Sequence, residues 1–314
     1  MIKINTKLPI AFLFGPTASG KTDLAIKLAE ILPVQIISVD SVMVYRGCDI
    51  GSAKPSKSIL KKFPHEMINI VNPDEVFTVA DFCNISLKLI TRTHLEKKLP
   101  LFVGGSMMYF KSLLDGIHEL PERDSKYRDK LEKLKESKEE HYLFSLLNNK
   151  DPEYAKGLNK NDEIRIIRAL EVIQKTGEPL SKTLKENKNN PLSKKYHIEQ
   201  FGLLDEREFI HKRIEERLES ILSDGLENEA IEILKKYEIP DNHPIRKSIN
   251  YKQIFEYIDG RYDIETFFQK ALFATRQLAK RQITWMRSWD NYTEIRMNEF
   301  KALKDKLKNI ISLL

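Results

Sequence analysis

Residues 15–22 read Gly15-Pro16-Thr17-Ala18-Ser19-Gly20-Lys21-Thr22, the pattern G-x-x-x-x-G-K-[ST] of a phosphate-binding loop. Such a loop works only between a buried strand and a helix, and the flanks supply both. Ile10-Ala11-Phe12-Leu13-Phe14 is an unbroken apolar run, as a parallel strand covered on both faces requires. After Thr22, the residues Leu24, Leu28, Ile31 and Leu32 fall on one helical stripe, with Lys27 and Glu30 off it. The glycines let backbone N–H groups turn toward a phosphate, and Lys21 adds a point charge. The Thr22 hydroxyl is a suitable ligand for Mg²⁺. The pattern predicts a bound diphosphate or triphosphate.

The strand–helix alternation continues. Val34–Val39 reads as a second strand, residues 79–98 as a helix with Ala80, Phe82, Leu87, Ile90 and Leu95 apolar, and 99–103 as a third strand closed by Gly104-Gly105. A helix follows over 106–114. This order predicts the α/β class: a phosphate-loop NTPase-like parallel sheet flanked by helices, with its ligand at the carboxyl ends of the strands. After Gly116 the chain changes character. Residues 119–200 are rich in charge and poor in strand signals, with helices predicted over 123–140 and 161–176. Ser181–Lys195, with five lysines and three asparagines, reads as an exposed loop. A strand signal returns at Gln200–Leu203, and the rest, from Glu206, is mostly helical. The predicted division is a phosphate-loop core of 1–118 and 200–314 around a mainly helical insertion, 119–199.

Composition narrows the class. The 314 residues carry 52 basic and 46 acidic side chains, a net charge of +6 that is compatible with a nucleic-acid partner without requiring one. Cys48 and Cys83 are the only cysteines, which excludes a disulfide framework and a zinc-like spacing. The short polar start, Met1 to Leu8, runs into the first strand, and no apolar stretch approaches 18 residues. A cytoplasmic protein without a membrane span is expected.

Four further segments carry candidate chemistry. Asp40, in Ser38-Val39-Asp40-Ser41, stands at the tip of the second strand, which the reading places beside the phosphate loop. It suits a Mg²⁺ ligand or a general base, and it equally suits a turn cap. The third strand ends Phe102-Val103-Gly104-Gly105, without the carboxylate that holds Mg²⁺ in most phosphate-loop hydrolases. That argues for a transferase that uses the loop differently. Tyr45–Pro55 mixes an aromatic, the cations Arg46 and Lys54, and turn glycines, as a diphosphate-binding loop or a polar surface loop does. In the C-terminal block, Arg276, Lys280, Arg281 and Arg287 interleave with Trp285 and Trp289 at helical spacing, which fits RNA stacking or, more simply, tryptophans packed on the core. Arg213 and Arg217 share a helix face, as they also would in an ordinary surface helix.

Together these segments resemble one family, the tRNA dimethylallyltransferases of bacterial type. The resemblance rests on GPTASGKT at 15–22, SVDS at 38–41, YRGCDIGSAKP at 45–55 and VGGSMMY at 103–109, then Arg165 with Arg168–Glu171, RIEER at 213–217 and ATRQLAKRQITWMR at 274–287. It implies transfer of a dimethylallyl group from dimethylallyl diphosphate to the exocyclic amine of adenosine 37 in tRNA, with Mg²⁺ as cofactor. By the resemblance Gly15, Pro16, Thr17, Ala18, Ser19, Gly20, Lys21, Thr22 and Arg217 hold the diphosphate, and Thr22 the metal. Asp40 matches the catalytic acid that takes the amine proton, with Thr17 and Arg217 beside the leaving group. The tRNA anticodon stem-loop is assigned to Asp40, Ser41, Val42 and Met43, to Ser106 and Arg128, to Ile164, Arg165, Ile166, Ile167 and Arg168, and to Lys247, Ser248, Ile249, Asn250, Tyr251 and Lys252. Met43 stands where many relatives have glutamine, Ser106 where threonine is usual, Asn250 where glycine is common and Ile164 where a polar residue is frequent. A monomer is expected.

The nearest alternative is an adenylate isopentenyltransferase, against which the insertion and the basic C-terminal helix argue. A nucleotide kinase would need ATP and the missing acid of the third strand. A nucleic-acid-binding module without chemistry leaves Lys21 and Asp40 without a purpose.

Overall fold

A computed structural model describes residues 7–116, 120–186 and 191–314. Met1–Thr6, residues 117–119 at the expected start of the insertion, and 187–190 of the expected exposed loop lie outside them.

The apolar runs form strands because the sheet buries them, three along nearly their whole length and the fourth over its last three residues. They are β1 (Pro9–Phe14), β2 (Val34–Val39), β4 (Leu99–Gly104) and β5 (His197–Leu203), joined by the short β3 (His65–Glu66) and β6 (Thr293–Ile295). Among the described residues these strands make one parallel sheet in the order β3-β2-β4-β1-β5-β6. Its connections are α1 (Lys21–Ala29), α2 (Lys57–Lys62), α3 (Val79–Leu95) and α4 (Met107–Asp115). On one face Ala11, Leu13, Leu101 and Val103 pack with Leu24 and Leu28 of α1, and with Leu303 and Leu307 from near the chain's end. The other face stacks aromatics: Phe12 on Phe102 and Phe110, and Phe14 on Phe110.

The charged middle of the chain folds as α5 (Ser125–Ser137), α6 (Tyr142–Lys150), α7 (Pro152–Ala155), α8 (Glu163–Thr176) and α9 (Leu180–Glu186). Leu131, Leu143, Leu147, Ile166, Ile167 and Leu170 make its own core. Asp124 caps α5 and Asp162 caps α8, so both helices begin two residues later than their charge pattern suggests. Gly177, at φ 75°, ends α8. After the strand β5 come α10 (Arg207–Ser223), α11 (Leu226–Lys236), α12 (Pro244–Lys247), α13 (Tyr251–Ile258), α14 (Ile264–Arg287), then β6 and α15 (Phe300–Ile311). Backbone contacts separate one compact unit of Met1–Asp115 with Pro191–Leu314 from a second of Gly116–Asn190.

Several local expectations change. The core resumes at Pro191, not 200, because β5 starts at His197 and pairs Ile198 with Ile10. The expected exposed loop is helical to Glu186, and Leu192 beyond it is only 4% exposed. Ile31 lies past the end of α1 and is exposed. On α3 the buried stripe is Phe82, Cys83, Ser86, Leu89, Ile90 and Thr93, while Ala80, Leu87 and Leu95 face water. Small and polar residues share the packed face with Phe82, Leu89 and Ile90. No described helix is long and apolar enough to cross a membrane.

Candidate active site

The phosphate loop leaves the centre of the sheet. Gly15 follows β1, where a Cβ would stand 2.4 Å from the Leu203 carbonyl oxygen, so only glycine passes β5 here. Gly20, at φ 90°, turns the chain into α1. A Cβ on it would come within 3.1 Å of Arg213 Nη2 and 3.0 Å of Met297 Sδ. Arg213 therefore leans on the loop itself, a proximity the i, i+4 spacing with Arg217 hinted at and did not establish.

The register puts the strand tips in line: Phe14 pairs with Gly104, and Gly104 with Val39. Asp40 is thus not immediately beside the loop; β4 lies between them, two strand spacings or roughly 10 Å in all. What joins the two is the absence of side chains at Gly104 and Gly105. Thr17, Lys21, Thr22, Asp40, Met43, Gly104, Gly105, Arg217 and Gln282 line one cavity across the tip of β4. At Gly104 a Cβ would stand 2.0 Å from the Val39 carbonyl oxygen, so the opening is built into the backbone.

Asp40 Oδ1 accepts the N–H groups of Val42 (2.8 Å) and Met43 (3.1 Å). This is the turn cap. Its other oxygen has no hydrogen-bond partner among the described residues, so the cap does not use up the carboxylate. Lys21 is buried, and its ammonium donates to the Pro16 carbonyl (2.6 Å) and contacts Ser19 Oγ (3.3 Å). Burial, then Arg217, pull its pKa down to about 7, against the pull of Asp40, with Arg213 adding to the lowering. Arg217 faces the open cavity, yet protein atoms crowd it enough that desolvation and Arg213 lower its pKa, opposed by Asp23 and Asp40.

Gln282 of α14 reaches the centre of the cavity, which the sequence reading missed. Its Oε1 accepts the Thr17 N–H (2.8 Å) and its Nε2 donates to the Gly105 carbonyl (2.9 Å), tying the phosphate loop to the tip of β4. The signal was a polar residue on the buried stripe Ala279, Gln282 and Met286. The rest of the basic–aromatic block is divided. Trp289 is core: it packs on Phe14, with centroids 5.2 Å apart, and donates to Gln200 Oε1 (3.0 Å). Arg276 pairs with Glu215 (2.8 Å), and Trp285 stays 40% exposed. Nor is Lys54 a ligand: its side chain is 2% exposed and donates to Tyr45 O, Asp49 Oδ1 and Asn69 Oδ1.

The remaining candidates fall into two groups. Ser41, Lys247 and Lys252 are exposed, and Ser106 is half-buried. Tyr251 is fully buried, so its side chain is not available to a macromolecule. In the helical unit Ile164 and Arg165 are exposed, whereas Ile166 and Ile167 belong to the core because they lie on the packed stripe of α8. Arg128 and Arg168 grip Glu171, which is 0% exposed, and still show 30% and 27% of their side chains.

The oxygen donors fit Mg²⁺. Thr22, Asp23 and Asp40 line the cavity, and among the described residues no group of three His, Cys, Asp or Glu forms a complete cage. Magnesium characteristically takes one or two protein oxygens and completes its shell with phosphate and water.

A phosphate loop that shares one cavity with a carboxylate across a glycine-lined strand tip defines a phosphate-loop protein. The IPP transferase family description matches residues 43–289, and the chain belongs to that family. It is similar, at 31% identity over 98% of this chain and 97% of the other (TM-score 0.70), to the full-length tRNA isopentenylpyrophosphate transferase of Bacillus halodurans. It is equally 31% identical to the tRNA delta(2)-isopentenylpyrophosphate transferase of Staphylococcus epidermidis, over 98% of this chain and all of that one (TM-score 0.67). A eukaryotic dimethylallyltransferase acting on tRNA shares the fold, with TM-score 0.78 and 24% identity over 92% of this chain and 74% of the other.

A depressed Lys21 has a measurable consequence. An anion in the loop would favour the ammonium, so binding of a diphosphate there should take up a proton once the pH exceeds about 7. Affinity should fall as pH rises from about 7 toward the ordinary lysine value of 10.5, approaching tenfold per unit. Calorimetric titration across that range checks it, and Lys21→Met should bind weakly with no such slope. A flat wild-type profile contradicts the assignment. The same shift makes the ligand-free fold gain stability as pH rises through this window, since the unfolded chain holds the proton there and the folded chain does not.

Proposed function

We propose that the protein transfers a dimethylallyl group from dimethylallyl diphosphate to the exocyclic amine of adenosine 37 of tRNA, releasing diphosphate. The observation that carries this is the cavity itself. Lys21, Arg217 and the loop residues Thr17, Ala18 and Gly20 line it together with Asp40, whose second oxygen has no hydrogen-bond partner among the described residues, and no carboxylate stands on the strand between. The amine nitrogen forms a bond to C1 of the donor as the C1–O bond breaks. The electron pair leaves with the diphosphate, and the amine proton passes to Asp40. Lys21 and Arg217 neutralise the charge developing on the leaving group, and Thr17, held through its N–H by Gln282, stands beside it. Thr22 would hold Mg²⁺, which would supply further charge neutralisation at the diphosphate. The target base leaves its stack to enter the cavity.

The direct test is to incubate protein, unmodified tRNA and dimethylallyl diphosphate and to seek a prenylated adenosine by mass spectrometry. The product should form equally with and without ATP. Phosphoryl transfer from ATP at ordinary enzyme rates without the prenyl donor would favour a kinase instead, and prenylation of free adenylate but not tRNA would favour the adenylate enzyme.

For the RNA, exposed cations on α8 and at Lys247–Lys252 are the proposed phosphate contacts. Arg165 is the clean probe, because its side chain is 64% exposed and its one ion pair among the described residues is a 3.4 Å contact to Asp162. Arg165→Ala should weaken tRNA binding and reduce the salt slope by about one, with unchanged thermal stability. Filter binding at low and moderate salt measures both, and an unaltered slope removes Arg165 from the interface. Arg168→Ala is a poorer probe, since it also strips a partner from buried Glu171.

A further inference from the structure

Gln282 closes one side of the phosphate loop. It is only 7% exposed, and it lines the cavity between the loop and the tip of β4. Gly105 makes room for it, because a Cβ there would stand 2.3 Å from Gln282 Nε2. Its bonds to the Thr17 N–H and the Gly105 carbonyl engage both ends of the amide. Further along the loop, the N–H groups of Ala18 and Gly20 have no hydrogen-bond partner among the described residues. Ala18 sits at φ 60° and Gly20 at φ 90°, the left-handed turns that make a concave nest for an anion. The loop therefore offers an anion the N–H groups of Ala18 and Gly20 and withholds that of Thr17.

The direction in which Gln282 closes the loop has a chemical meaning. In phosphate-loop NTPases Mg²⁺ bridges the β- and γ-phosphates, held by the loop Ser or Thr and by an acid on a nearby strand. The γ end of a triphosphate thus lies toward that strand tip. Here the strand paired with β1 is β4, and its tip carries Gly104, Gly105 and the Gln282 amide in place of an acid. The amide brings no charge to a third phosphate and occupies the N–H that could have bound it.

We propose that Gln282 sets the length of phosphate chain that the loop accepts: by holding the Thr17 N–H and filling the space at the tip of β4, it admits a diphosphate and excludes a triphosphate. The inference rests on the reading of this cavity as the site of the donor's diphosphate.

Inorganic diphosphate and tripolyphosphate are the probes, titrated calorimetrically into the full chain without metal and below pH 7, where Lys21 keeps its proton. By charge alone Lys21, Arg213 and Arg217 would hold the longer anion more tightly. The wild type should instead prefer diphosphate by about tenfold or more, the scale of one hydrogen bond to a charged group. Gln282→Ala opens the space and frees the Thr17 N–H, so tripolyphosphate should gain affinity until it at least equals diphosphate. A damaged fold does not produce such a gain. Gln282→Asn, one methylene too short to span Thr17 and Gly105, should move the ratio the same way and serves if the alanine variant does not fold. Gln282→Glu keeps the filled space and an acceptor for Thr17, so it should weaken both anions through its charge and retain the preference for diphosphate. A wild type that binds tripolyphosphate as tightly as diphosphate, or an alanine or asparagine variant with the wild-type ratio, overturns the length selection. Failure of the wild type to bind diphosphate at all is a distinct result, and it overturns the donor-site reading on which the proposal stands.

Discussion

Asp40→Asn should leave diphosphate and tRNA binding within a few fold and lower turnover by about 10²–10⁴-fold, the range for losing a general base. The substitution separates the turn cap from the proposed proton transfer. An asparagine Oδ1 still accepts the N–H groups of Val42 and Met43, so the turn after β2 is retained. The nitrogen that replaces the other oxygen takes no proton. Asp40 also raises the pKa of Lys21, so its loss should slightly weaken diphosphate binding near neutral pH. Single-turnover rates with tRNA saturating isolate the chemical step, and a variant within tenfold of wild type would remove Asp40 from proton transfer. Asp40→Ala is the less informative change, because it also leaves two backbone donors without their acceptor.

Glu171→Ala should destabilise the helical unit by about 3 kcal/mol, at the lower end for breaking a buried ion pair because both arginines are partly exposed. Glu171 accepts from Arg128 Nε (2.9 Å) and Nη2 (3.0 Å), from the Asp124 N–H (2.6 Å) and from Arg168. Arg168 in turn donates to the Pro121 carbonyl (2.7 Å). One carboxylate thus joins the segment before α5, α5 itself and α8. Burial alone would push its pKa up. Arg128, the Asp124 N–H and Arg168 outweigh that and hold it at about 2. A depressed carboxylate contributes its stability above the ordinary value of 4.5 and loses it as pH falls from there through about 2. Denaturant unfolding, with hydrogen exchange to localise the change to residues 120–186, measures the effect. A loss under about 1 kcal/mol would make this no more than a surface pair.

The phosphate loop, β1, β2 and β4 were legible from neighbouring residues alone. A loop that turns N–H groups inward needs its glycines at fixed offsets, and strands buried on both faces need unbroken apolar runs, so both patterns are written locally. The position of Lys21 followed from those patterns, whereas that of Asp40 followed only as far as the tip of β2, since β4 lies between it and the loop. β3 and β6 did not, because strands of two and three residues have no periodicity; they exist as partners of Ile36–Ile37 and Phe201–Leu203. Nor did the orientation of α3: its apolar residues surround the helix, and only contact with the sheet chose Cys83, Ser86 and Thr93 over Leu87 and Leu95. Lys54 carried the same charge as a ligand would and became an internal tie once Tyr45, Asp49 and Asn69 closed around it. Gln282 meets Thr17 across 265 residues of sequence, and Arg213 meets Gly20 across a comparable gap. A motif or a period records what a residue asks of its chain neighbours. Which distant segments meet at the cavity is decided by burying complementary faces of a sheet and its helices, and that choice becomes visible only in the packed molecule.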